Sequence, residues 1–257
     1  MKVFKCINGL VKEQNSLMKV LKIHENKRQV ISFVGGGGKT SLIYELGNEL
    51  SKLGKKVIIT TTTNMFMPQS NVVFTGKKED IISFLKYENL VTVGLKASPK
   101  DINANTEELE KITGLPLNEA RKLIELADFV LVEADGSRRL PLKAPAEHEP
   151  VILEGSSLVI GVCGIDAFGK PIEETCHRPN LVANLLNVNR NHIINEKDIA
   201  LILLSHNGQK KDVQCDYKVI INKVDNEKLL RIAEKISSEF YELGLNELIL
   251  TTFKEKI

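Results

Sequence analysis

Seven short runs rich in β-branched and aliphatic residues punctuate the chain: 29–34 (QVISFV), 56–61 (KVIITT), 128–134 (DFVLVEA), 157–164 (SLVIGVCG), 199–204 (IALILL), 218–223 (KVIINK) and 247–252 (ELILTT). Apolar runs of this length without polar alternation predict strands buried on both faces. Between them, apolar residues recur at helical spacing, at 42, 43, 46, 50 and 53 within Ser41–Leu53 and at 229, 230, 232, 236, 240 and 243 within Asn226–Leu243. Strand alternating with helix predicts an α/β fold, a mostly parallel sheet covered by helices on both faces. Residues 1–28 are expected to form a helical appendage ahead of one domain spanning 29–257. The polar or Pro/Gly-rich stretches 64–80 and 136–156 are expected to be loops at the ligand-binding edge.

Composition changes this picture little. A chain of 257 residues, 42% hydrophobic and 26% charged, can bury a large core, and a net charge of +2 does not point to nucleic acid. No apolar run approaches eighteen residues and the first twenty residues lack a signal-peptide h-region, so the expectation is a soluble, cytoplasmic protein without a membrane partner. Cys6, Cys163, Cys176 and Cys215 lie far apart with no C-x-x-C spacing, which predicts reduced thiols and no zinc site.

Candidate chemistry begins at ISFVGGGGKTSLIYELG, residues 31–47. Gly35, Gly36, Gly37 and Gly38 followed by Lys39, Thr40 and Ser41, placed after a strand and opening an amphipathic helix, predict a phosphate-binding loop. The glycines can take positive φ and turn their amides inward as an anion nest, reinforced by the helix N-terminus. Lys39 is expected to reach the outer phosphates and Thr40 to offer its hydroxyl to Mg²⁺. The full pattern wants glycine at 33, where Phe33 stands, so the loop reads as the shorter x-G-G-x-G-K-T form of deviant ATPases and metallochaperone GTPases.

Nucleotide chemistry also needs a carboxylate at a neighbouring strand end, and VLVEADGSRR supplies two. Glu133 and Asp135 are the candidate metal and catalytic carboxylates, and the Gly136 amide the candidate contact to a γ-phosphate. Which carboxylate does which stays open. Arg138 and Arg139 are candidates to stabilise transferring phosphoryl charge or to hold an anionic substrate. Thr62, in TTTTNM at the end of the second strand, is a candidate lining residue. INKVD matches the N-K-x-D guanine-specificity pattern, with Asn222 bridging to the loop, Lys223 covering the base plane and Asp225 accepting from guanine N1 and N2. GTP is preferred over ATP on this ground.

FVGGGGKTS, ITTTTNM, LVEADGSRRLPLKAPAEHEPVI, GIDAFGKPI with CHRPNL, and INKVD, in this order, closely resemble the YqeC family of selenium-dependent hydroxylase accessory proteins, from about residue 20 onward. The resemblance implies a P-loop protein acting in the making or insertion of the labile selenium cofactor of molybdenum hydroxylases. It carries Gly35 through Thr40, Glu133, Asp135, Gly136, Lys143, His148, Glu149, His177 and Arg178 into the site. Lys143, His148, Glu149, His177 and Arg178 are thereby candidates for a substrate or partner site. A Cys beside a His, as at Cys176–His177, can hold selenium, sulfur or a metal, but one such pair is not a metal site. The functional expectation is a Mg²⁺-dependent GTPase that switches its loops. The alternatives are a kinase or nucleotidyltransferase acting on a selenium- or molybdopterin-containing intermediate, and a nucleotide-sensing scaffold without turnover. The partners expected are the nucleotide, such an intermediate, molybdenum hydroxylase maturation proteins and a second copy of the chain.

Overall fold

The computed structural model describes residues 1–97 and 111–254. In chain order the elements are β1 (Lys2–Ile7), β2 (Leu10–Gln14), α1 (Leu17–Val20), β3 (Gln29–Gly35), α2 (Lys39–Lys52), β4 (Val57–Thr61), β5 (Asn64–Phe66), β6 (Val72–Val73), α3 (Lys78–Leu85), β7 (Leu90–Val93) and β8 (Leu95–Lys96). They continue with β9 (Lys111–Thr113), α4 (Leu117–Ala120), β10 (Phe129–Glu133), β11 (Leu142–Lys143), β12 (Ser156–Gly164), α5 (Ile172–Thr175), β13 (Cys176–His177), α6 (Pro179–Leu186), α7 (Glu196–Leu204), β14 (Asp216–Asn222), α8 (Glu227–Glu242) and β15 (Leu248–Thr252).

A ten-stranded sheet runs in the order β2-β1-β15-β14-β12-β3-β10-β4-β7-β6. Every pairing from β15 to β6 is parallel, and only β1 and β2 run antiparallel at the edge. The central strands are buried on both faces because helices cover both. Ile31, Phe33, Ile59, Leu131 and Ile220 share one cluster with Leu42, Ile43, Leu46 and Leu50 of α2. Their sequence neighbours point the other way: Val219 and Ile221 pack with Ala233, Ile236 and Phe240 of α8, and Val30, Ile58 and Val130 with Ile81 of α3. The chain leaves β3 for β4 on one side, while β12 lies on the other. The loop after β3 therefore sits where the connections diverge, the crevice in which open α/β sheets bind ligands.

Two expected elements are corrected. Residues 199–204 form the end of helix α7, not a strand. A short apolar run fits a buried helix as well as a buried strand, and the capping box decides it: Asp198 N–H donates to Asn195 Oδ1 at 3.0 Å and Asn195 N–H to Asp198 Oδ2 at 2.9 Å. Residues 1–28 are mainly a β-hairpin that extends the sheet through β1 against β15, with only the short α1 helical. Glu49 of α2 anchors that segment by accepting the Leu17 and Met18 amides at 3.0 and 3.1 Å. The 64–80 stretch also holds β5, β6 and the start of α3, whereas 136–156 contains only the two-residue β11 before β12 begins. Among the described residues no helix is long and apolar enough to cross a membrane.

Candidate nucleotide site

The glycine loop is built for close approach. Gly35 and Gly37 have φ of +97° and +74°, and a Cβ added to them would lie 2.3 Å from the Val162 carbonyl oxygen and 2.0 Å from Gly164 N. Any side chain there meets both the left-handed backbone penalty and rigid main chain. The expected inward nest is corrected in part. The Gly35 amide donates to both Asp135 oxygens at 3.0 Å, Gly36 to Val162 O at 2.9 Å, and Gly37 to Leu140 O at 3.1 Å. Three inner amides are thus committed to the protein, because β12 and the 136–156 loop crowd the bend. The first α-helical bond across Gly38 runs from Leu42 N to Gly38 O, so the amides of Lys39, Thr40 and Ser41 are the donors of the helix start.

Glu133 and Asp135 part company. Thr40 Oγ1 donates to Glu133 Oε2 at 2.6 Å, which sets a hydroxyl and a carboxylate side by side at the start of α2. Asp135, 2% exposed, accepts from Gly35 N and pairs with Lys39 Nζ at 3.0 Å and Lys143 Nζ at 3.1 Å. Both its oxygens are engaged in holding the loop, whereas Glu133 meets the Thr40 hydroxyl. Burial disfavours the Lys39 ammonium, but Asp135 and then Glu133 outweigh this and push its pKa up. Burial raises the Glu133 pKa against the opposing pull of Lys39 and Thr40.

The resemblance made Lys143 and Glu149 candidate contacts for a substrate or partner, but both are buried. Lys143 is fully buried; its Nζ reaches Glu149 Oε2 at 2.6 Å and the Gly136 carbonyl at 2.8 Å. Glu149 in turn holds Arg178 through both guanidinium ends, one bond being Nη2 to Oε1 at 3.0 Å. The result is a row of alternating charge: Lys39, Asp135, Lys143, Glu149, Arg178. Burial alone would raise Glu149, but Arg178 and Lys143 bring it down to about 2. Thr62 does not line the site either; its hydroxyl donates to Val151 O at 2.7 Å and fastens the same loop. Arg138 and Arg139 are exposed with φ of +50° and +65°, and Arg139 lies 4.7 Å over the Phe66 ring. His148 and Ser41 are exposed.

Of the N-K-x-D residues, Asn222 bonds directly to the loop. Asn222 Nδ2 donates to Gly37 O at 2.8 Å, and Thr251 Oγ1 donates to Asn222 Oδ1 at 2.9 Å. Thr252 Oγ1 donates to Asp225 Oδ1 at 2.5 Å, and Lys223 Nζ pairs with Asp166 at 2.8 Å. Thr251, Thr252 and Asp166 escaped the sequence reading. The threonine pair ending the last strand was the available signal, but it reads equally as ordinary strand composition.

Cys176 is buried and its thiol pushed up to about 12, by burial and then by Asp198, so it is not an activated thiolate. Among the described residues no cluster of His, Cys, Asp and Glu is arranged to hold a metal by itself. Brief alkylation of the folded protein is expected to label half-buried Cys215 ahead of buried Cys6, Cys163 and Cys176. Peptide mass spectrometry checks this, and preferential labelling of Cys176 would contradict the burial argument.

The sheet, the glycine loop opening α2 and the carboxylates at and just beyond the end of the adjoining β10 define a P-loop NTPase-like α/β protein. The YqeC protein family model matches residues 31–180. An uncharacterized YqeC protein of Escherichia coli (strain K12) is 35% identical over 198 residues, covering 76% of this chain and 75% of that protein. The chain therefore belongs to the YqeC family. Among solved structures, the signal recognition particle receptor FtsY from Elizabethkingia anophelis aligns with a TM-score of 0.38 and 13% identity, over 89% of this chain and 66% of that one. That likeness carries no argument about function.

Proposed function

We propose that the protein binds a guanine nucleotide with Mg²⁺ at the loop after β3, hydrolyses it, and uses the nucleotide state to switch the 136–156 loop in maturation of the selenium cofactor of molybdenum hydroxylases. One observation carries the nucleotide reading: the Asn222 side chain donates to Gly37 O, tying the strand end that would read the base to the loop that would hold the phosphates. Asp225, turned beside it by Thr252, offers a carboxylate. Guanine presents two donors to such a group, whereas adenine presents an acceptor at N1 and leaves the carboxylate unpaired. The selenium role rests on the family resemblance.

Thr40 and Glu133 are hard oxygen donors of the kind that suits Mg²⁺. Bound there, the ion would neutralise charge on the outer phosphates. The switch follows from what the loop must exchange. Lys39 spends two of its three ammonium N–H groups on Gly35 O and Asp135 and keeps one for a phosphate, whereas the Gly37 amide can reach a phosphate only by releasing Leu140 O. A γ-phosphate would thus compete directly with contacts that hold 135–141 in place, which is the differential interaction a two-state loop requires.

Thermal shifts with GTP, ATP and CTP, each with and without Mg²⁺, test this reading. GTP with Mg²⁺ is expected to give the largest rise, and equal responses to the three would remove the guanine assignment. Glu133→Gln is expected to erase the Mg²⁺-dependent part of the rise while leaving a metal-independent response. Retention of that part by Glu133→Gln, with its loss in Asp135→Asn, would reverse the carboxylate roles. A second reading, group transfer to an anionic acceptor, is favoured by the cations around His177. It predicts nucleotide consumption only when the acceptor is present, whereas a switch hydrolyses nucleotide alone.

A further inference from the structure

The row of buried charge ends at a group of cations that the nucleotide reading does not use. Parallel pairing of β11 with β13 sets Lys143 opposite His177, and Arg178 follows directly. Arg178 spends two of its donors on Glu149, but its side chain is 25% exposed and a guanidinium carries five N–H groups. Arg138 stands on the loop that also carries Lys143, and its field reaches His177 together with those of Arg178 and Lys143. Both arginines hold left-handed backbone, φ +50° at Arg138 and +61° at Arg178, which a non-glycine residue adopts only at a cost. The carboxylate facing this group, Glu149, is already saturated by Lys143 and Arg178.

We propose that Arg138, His177 and Arg178 form a second anion site, matched in charge to an oxyanion such as a phosphoryl group and set two carboxylates along the charge row from Lys39. This deepens the group-transfer form of the proposed function, since an acceptor's anionic group has to be held near, yet apart from, the nucleotide phosphates. Arginine donors suit such oxygens by their fork geometry. The imidazole then acts as the sensor of occupancy. Burial, and after it Arg178, Lys143 and Arg138, hold His177 down to about 4, with Glu149 pulling the other way. An oxyanion seated among these cations cancels their field, so the His177 pKa must rise, and anion affinity must increase as pH falls through the raised value.

The test is an NMR titration of the histidine rings in the full-length Lys39→Ala protein, which removes the principal phosphate ligand of the loop, with wild type in parallel. In inorganic phosphate the His177 midpoint is expected to rise by at least about one unit over chloride at equal ionic strength, because an opposite charge at contact shifts a pKa by this much or more. Arg138→Gln, at an exposed position, is expected to abolish the rise. Identical midpoints in phosphate and chloride, or a full rise in Arg138→Gln, would overturn the site. Methyl phosphate separates the sources: an equal rise marks a pocket open to an esterified acceptor, and a rise with inorganic phosphate alone marks a seat for released phosphate. Failure of GTP to bind anywhere would leave this titration readable, so the two proposals fall separately.

Discussion

Asp225→Asn is expected to weaken GTP binding by about 100-fold and to raise affinity for xanthosine triphosphate, exchanging the preference of the pocket. The carboxylate can only accept, which suits the N1–H and amino donors of guanine. The amide of Asn offers donors in the same place, matching the oxygen that xanthine carries instead of the amino group. A buried donor facing a donor loses the bond and keeps the desolvation cost, which is why polar mismatches discriminate more strongly than missing methylenes. Thr252 Oγ1 donates to Asp225 Oδ1, and Asn keeps an oxygen for that bond, so the fold should tolerate the change. Isothermal titration with GTP, ATP and xanthosine triphosphate measures the exchange. Equal weakening of all three would show that Asp225 supports the loop without reading a base.

Lys143→Met should cost about 3–5 kcal/mol of stability, the range found when one partner of a buried ion pair is removed. For a chain of this length that lowers Tm by roughly 10 °C. The side chain is fully buried between Asp135, Glu149 and the Gly136 carbonyl, and methionine fills the volume while leaving two buried carboxylates short of one cation. Calorimetry at neutral pH reads the loss, and a Tm within two degrees of wild type would mean that Lys143 is dispensable to the fold.

The pH profile adds an independent readout. Glu149 is held at about 2 against an ordinary 4.5, so its contribution to stability is fully present above 4.5 and is lost as pH falls towards about 2. Without Lys143 the carboxyl returns part of the way to its ordinary value. The variant should therefore lose less stability across that acid window than wild type does.

Local order along the chain determined a good deal. The apolar runs located six of the sheet's strands, and the glycines, Lys39 and Thr40 marked the bend between β3 and the start of α2. The placement of Asn222, Lys223 and Asp225 at the end of β14 was legible because backbone geometry keeps a short motif at a strand end together wherever that strand goes. Such readings succeed because strand pleat, helix start and turn are set by residues within a few positions of one another. Residues 199–204 failed for the same reason turned round: an apolar run of six has no period of its own, and the Asn195–Asp198 cap that makes it helical lies outside the run. Tertiary structure alone decided that Asp135 clamps Gly35 and Lys39, that Glu133 keeps Thr40, and that Lys143 and Glu149 lie inside the protein between the glycine loop and Arg178. Those assignments depend on which charges share low-dielectric space, a property of strand order and loop packing that no spacing along the sequence records.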